Sequence, residues 1–327
     1  MKQLYLDNHS GRRLDQRAFE AMMPYFSQRY GNAQSMHTMG SEALDAVERG
    51  RQQVADLLSV SPGEIYFTSG GSESNNLAIK GVATSLAGRG RHLVISAIEH
   101  ASVLNAARRL EKSEYAVTVL EVDRHGLVDP DRLRDALRPD TILVSIQHAN
   151  PEIGTIQDIA ALSAAAHASG ALFHTDAVST AGIIDVNPIS LGADLLTLSS
   201  SQMYGPKGAA ALYVKKGVTF LPQIEGGIQE HNRRAGTENV PAIVGFGAAA
   251  EIAARECEEN ARHTILLRDR LIRELPQRIP YVYLNGHPDK RLPDNVNFSV
   301  EFIERRHAAA ARRPGHQCHQ RVSLHLA

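Results

Sequence analysis

The sequence predicts an α/β fold: a mostly parallel sheet with helices on both faces. Three observations carry that expectation. Short strand-like runs alternate with helical patterns between residues 64 and 198, the order that builds strand–helix–strand units. Polar clusters follow the strands directly, and ligands on such sheets sit beyond the strands' carboxyl ends. At 327 residues the chain can bury a large core and form one large domain or two.

In chain order, residues 4–7 read as a short strand and 17–26 as a first helix. Over 37–58, Ala43, Val47, Val54 and Leu58 recur at helical spacing with charge on the opposite side. Strand-like runs then cover 64–68, 92–96, 116–121, 141–147, 171–176 and 194–198, with helical patterns following Ser74, Ala101, Pro130 and Gln157. Residues 195–214, LLTLSSSQMYGPKGAAALYV, read as a loop held between two buried strands, where an α/β enzyme places a reactive side chain. A long helix over 241–275 leads to a smaller unit that begins near 281–284 and 295–300. The expected domains are an N-terminal segment 1–14, a large domain 15–255, the start of a truncated small α+β domain 256–304, and an irregular tail 305–327.

Composition narrows the function classes. Thirty-five Lys plus Arg face 36 Asp plus Glu, so no global field favours nucleic acid or an acidic membrane. No apolar run approaches the roughly 18 residues that suggest a membrane span. The start, MKQLYLDN, has no charged-then-apolar leader. Cys257 and Cys318 lie far apart without metal-type spacing, so neither a disulfide framework nor a metal site is expected, and a cytoplasmic location is.

Four motifs carry candidate chemistry. Residues 68–75, TSGGSESN, link a strand to a helix; the glycines permit close backbone approach, and free N–H groups at a helix start favour a phosphate, although a plain turn with a helix cap explains the same letters. Glu99-His100 follows another strand, where a histidine serves as a cap or as a catalytic group. Asp176 lies in the run FHTDA at a strand end, as a cap or as the partner of a ring nitrogen. Arg233 to Val240, RRAGTENV, closes the set.

Together with the 195–214 loop, these motifs resemble those of the cysteine desulfurases, in the class-V aminotransferase group with pyridoxal phosphate (PLP) fold type I. The resemblance spans about residues 4 to 300. It implies PLP as cofactor, with Gly71 and Ser72 at the phosphate, His100 stacked on the ring and able to shuttle a proton, and Asp176 at the pyridine nitrogen. Ser179, Ser199 and Ser201 stand at further cofactor positions. Thr237 corresponds to a threonine that reaches the phosphate of a partner subunit's cofactor, which implies a homodimer. The implied substrate is L-cysteine, whose sulfur passes to an enzyme cysteine as a persulfide, leaving alanine, and then to an acceptor protein in iron–sulfur or thiolation pathways.

The chain departs from that pattern at the reacting end. The family's Ser-x-His-Lys-x-Tyr-Gly-Pro-Lys-Gly becomes SSSQMYGPKG, so Ser201 stands for the histidine and Gln202 for the lysine that forms the Schiff base. An amide nitrogen is no nucleophile. Pro151 replaces an asparagine, Ser179 a glutamine, and Ile228 alters a glycine-rich stretch. The expectation is a desulfurase-like protein that does not turn over, the alternative being a non-catalytic dimeric scaffold or partner-binding protein. Transamination and elimination need the same lysine. Lys207, the nearest, lies past a Gly-Pro turn.

The family's mobile cysteine loop is also missing. Codons for residues 306–327 exist that, read from their second base, encode Met-Leu-Leu-Leu-Leu-Asp-Ala-x-Gly-Ile-Ser-Ala-Ile-Ser-Gly-Ser-Ala-Cys-Thr-Ser, the segment the family carries there. The reading is a frame slip near Glu304 that makes Cys318 an accident of translation and leaves apolar surface uncovered in the small domain. The 3′ codons of the gene check this: the natural bases should encode that peptide in the shifted frame, and incompatible codons would show a genuine basic tail.

Overall fold

The computed structural model describes residues 5–302 and the backbone of 320–325. Seven strands form the main sheet: β1 (Ile65–Thr68), β2 (His92–Ser96), β3 (Ala116–Leu120), β4 (Thr141–Ser145), β5 (Leu172–Asp176), β6 (Leu195–Ser199) and β7 (Ala210–Val214). Their order is β1-β7-β6-β5-β4-β2-β3. The pairs from β3 through β6 are parallel, whereas β7 runs antiparallel to both β6 and β1. Leu93, Ile95, Leu195 and Leu212 point to one face, covered by helices Gly71–Ser85 and Ala101–Glu111. On the other face, Phe67, Leu196 and Leu198 pack under helices Thr38–Leu58 and Val240–Arg278. Val94, Val144 and Phe173 pack under Pro130–Ala136 and Ile159–Ala168. Strands buried on both sides read as continuous apolar runs, which is why they stood out in the sequence.

Three expectations are corrected at the ends. The strand expected over 4–7 is, among the described residues, one bridge residue, Asp7, because the chain turns at once: Ser10 N–H donates to Asp7 O at 3.2 Å. The helix expected over 17–26 is two, Gln16–Met22 and Pro24–Ser27; proline has no N–H to continue the ladder and its ring crowds the preceding turn. The tail, expected irregular over 305–327, contributes β10 (Gln320–His325) to a second sheet of order β10-β9-β8, with β8 (Val282–Leu284) and β9 (Asn295–Val300). The alternation in QRVSLH suits a strand. Cys318 and the rest of that tail lie outside the described residues. The boundary expected at 255 falls inside the unbroken Val240–Arg278 helix. Near its far end and beside the small sheet, Leu266, Tyr281, Tyr283 and Phe302 are exposed.

A buried ion pair fixes the segment that carries Thr237. Residues Glu230, His231 and Asn232 all have left-handed φ values of 46°, 55° and 62°, a conformation costing about 1–2 kcal/mol per non-glycine residue. It is held because the Glu230 carboxylate accepts from both Arg51 guanidinium nitrogens, at 2.7 and 2.9 Å, and from Phe67 N–H at 2.8 Å. Glu230→Gln should lower unfolding stability in urea by about 3 kcal/mol, because it leaves the buried Arg51 charge with only the half-exposed Glu48 as its ion-pair partner. Pairing it with Arg51→Met should recover much of the loss.

Candidate cofactor site

The carboxyl ends of the parallel strands open onto a cavity of about 310 Å³, at the small end of the range for ligand sites. Six of the residues singled out in the sequence line it: Gly71, Ser72, His100, Asp176, Ser179 and Gln202. Pro151 lines it too. Ser199 and Ser201 are not in the lining; their hydroxyls meet each other at 3.2 Å just behind it. Thr237 lies in a separate groove of about 160 Å³ with Thr68, Arg234 and Glu238.

Gly71 opens helix Gly71–Ser85 directly after β1. A methyl there would sit 2.8 Å from Val178 Cγ2, so the absent side chain keeps room at a helix N-terminus where free N–H groups and the helix dipole favour an anion. Asp176 ends β5 and is buried. Val178 N–H donates to Oδ1 at 2.9 Å and Asn75 Nδ2 to Oδ2 at 2.7 Å. Burial pushes this carboxyl up from its ordinary value, against the pull of those two donors. His100 is exposed to the cavity and also caps helix Ala101–Glu111, its Nδ1 accepting from Ser102 N–H at 3.2 Å. Cap and pocket wall are thus the same residue.

Gln202 sits in the short turn after β6. Its Nε2 donates to His9 O at 2.8 Å, and its Oε1 is sealed from solvent with no partner. Lys207 is exposed, its amine 3.7 Å from where a Cβ on Gly11 would lie, and it does not line the cavity. Cys257, on the Val240–Arg278 helix, does not line it either, and burial pushes its thiol up, away from the reactive thiolate.

The sequence reading missed His9, Ser10, Asn75 and Gln147 as wall residues. Asn75 carried a legible signal, one helical turn into the glycine loop; His9 and Ser10, brought in from a segment without periodicity, carried none. Behind the wall, Glu99 is fully buried. Its Oε1 accepts from Ser96 Oγ at 2.5 Å and Gln147 N–H at 2.9 Å, while Oε2 has no partner. Burial, aided by the Asp176 charge, pushes its pKa up to about 8.

A class-V aminotransferase profile matches residues 4–325. Cysteine desulfurase IscS of Dictyoglomus turgidum is 48% identical over 303 residues, which cover 93% of this chain and 77% of the relative. IscS of Methanosarcina thermophila is 47% identical over 93% of this chain and 75% of its own. Among solved structures, a NifS-like protein superposes with a TM-score of 0.90 at 37% identity, over 93% of this chain and 83% of that one. SspA in complex with cysteine gives 0.83 at 34%, over 95% and 87%. The chain belongs to the class-V aminotransferase family. Within that family its relatives are cysteine desulfurases, whose members depend on PLP.

PLP fits this cavity in part. The space over Gly71, the buried Asp176 carboxylate and the ring of His100 suit its phosphate, its pyridine nitrogen and its face. The covalent anchor does not fit, since among the described residues no lysine is in the wall.

Buried groups around the site set a pH profile. His174, between Ser145 Oγ at 2.8 Å and Thr197 Oγ1 at 3.0 Å, is lowered by burial from 6.5 to about 3. Burial likewise lowers His148 from 6.5 to about 4. In the unfolded chain both take a proton near pH 6.5, whereas in the fold they resist it, so stability falls as pH drops below about 6.5. Glu99 acts oppositely: unfolded it ionises near 4.5, folded it keeps its proton to about 8, so stability falls as pH rises through that window. The urea midpoint should therefore peak between about pH 6 and 7. Glu99→Gln should flatten the alkaline limb and His174→Gln the acid limb.

Proposed function

We propose that this chain is a desulfurase-family protein that holds a phosphorylated pyridine cofactor non-covalently and does not desulfurate cysteine. The observation that carries this reading is Gln202: the wall residue at the anchoring position is an amide whose nitrogen is committed to His9 O, and among the described residues the cavity wall holds no amine or thiol. When bound, PLP supplies an electron sink for bonds at the α-carbon of an amino acid. In this chain the helix start at Gly71 and Ser72 would bind the phosphate, and Asp176, kept in place by Asn75 and Val178 N–H, would hold the pyridine nitrogen protonated. His100 would cover the ring and accept or release a proton at the face open to the cavity. Pro151 contributes no N–H to the opposite wall.

The substrate class follows from kinship, L-cysteine, and so does assembly as a homodimer, to which the Thr237 groove would contribute. Exposed Leu221, Ile224 and Ile228 lie in the stretch leading to that groove and suit a subunit contact, which both this reading and the second, a dimeric scaffold that binds a sulfur-acceptor protein without catalysis, require. The unpaired Cys257 suits a reducing, cytoplasmic setting.

The test mixes purified protein with PLP, reduces it with borohydride and maps any mass adduct by peptide, alongside an assay for alanine and sulfide from cysteine. The expected result is no adduct in the peptide that carries Gln202, and no turnover above PLP free in solution. A stoichiometric adduct on Lys207, or cysteine-dependent sulfide release, would show that the pocket has found a substitute. Gln202→Lys should restore a borohydride-fixed adduct at residue 202.

A further inference from the structure

Two amide side chains line the cavity in the same electronic sense. Gln202 spends its N–H on His9 O at 2.8 Å, and Asn75 spends its own on Asp176 Oδ2 at 2.7 Å and Ser102 Oγ at 2.9 Å. Each carbonyl oxygen, Gln202 Oε1 and Asn75 Oδ1, is left shielded from water with no donor. A buried acceptor without a partner costs about 1–3 kcal/mol, and native structures seldom keep such groups without a reason. Pro151 adds another wall position with no N–H to offer. These three wall positions therefore offer no free donor, and two of them carry an acceptor to satisfy.

The two forms of the cofactor differ at one substituent in just this respect. The aldehyde of PLP has acceptor lone pairs only, and its usual compensation, a bond to a lysine amine, is absent. The aminomethyl group of pyridoxamine 5′-phosphate is a cation with three N–H donors. The terminal torsion of glutamine is broad, so the Gln202 amide can turn Oε1 toward a bound donor by giving up its bond to His9 O. Resting on the reading that the cavity takes a phosphorylated pyridine, we infer that this site selects the aminated form of the cofactor, with Gln202 Oε1 accepting from its ammonium group.

No bond forms or breaks in this selection, so binding alone tests it. Dissociation constants for pyridoxamine 5′-phosphate and PLP are measured by equilibrium dialysis on the full chain, on Gln202→Leu and on Gln202→Lys, with thermal midpoints to confirm folding. The unaltered chain should bind the amine form at least about tenfold more tightly, the factor one charge-assisted hydrogen bond provides. Gln202→Leu should bring the two constants within about threefold of each other, and Gln202→Lys should invert the preference. PLP binding as tightly as the amine form, or a preference that survives in a folded Gln202→Leu, overturns the inference while leaving the cofactor reading intact. Failure of both compounds to bind overturns both.

Discussion

The carboxylate of Asp176 is the constraint on which the site depends. It emerges from the end of a strand buried on both faces, and burial pushes its pKa up. Two donors oppose that: the backbone N–H of Val178 and the side chain of Asn75. The second ties β5 to helix Gly71–Ser85, so the helix start that favours an anion and the carboxylate that favours a cation are set against each other by one hydrogen bond. Gly71 lets the two approach, because any side chain there would strike Val178. A ligand with a phosphate at one end and a protonatable ring nitrogen at the other is the natural complement.

The same strand-end geometry explains what the sequence could reveal. Parallel strands covered on both faces carry short runs of largely apolar residues, so β2, β4, β5 and β6 are legible to within a few residues. The side chains that follow them in the chain, His100 and Asp176, necessarily fall at one end of the sheet. Wall residues that arrive from elsewhere obey no such rule. His9 and Ser10 reach the cavity through the turn after Asp7, and Gln202 binds His9 O across nearly 200 positions of chain. Ser199 and Ser201 share a loop with Gln202, yet the short helical turn after β6 points them behind the wall. The split at Pro24 was available in the sequence, since proline lacks the N–H that continues a helix, but an apolar spacing running through it concealed the break.

Local strain marks the second region that periodicity could not locate. Three consecutive non-glycine residues in left-handed conformation, Glu230 to Asn232, make no sense as an isolated turn. They persist because the Glu230 carboxylate is captured by Arg51 from helix Thr38–Leu58 and by the backbone of β1. That capture also fixes where Arg233 to Asn239 leave the core. Arg234 pairs with Glu73, one turn into the helix that carries Gly71. The Thr237 groove and the main cavity are therefore fastened to opposite sides of one helix start.

The identity of residue 202 bears on whether the lost lysine is mere decay. A position freed from function tolerates small or apolar side chains, which would leave no buried polar atom behind. Glutamine instead keeps a polar group in the wall, pins the segment bearing His9 and Ser10 over the cavity, and leaves one oxygen unsatisfied. Asp176 and Asn75 impose a similar burden: a carboxylate held against its burial and a second unsatisfied oxygen. An empty pocket would relieve none of these costs, and apolar replacements would remove all of them. Their joint presence suits a cavity shaped for a charged, hydrogen-bonding ligand.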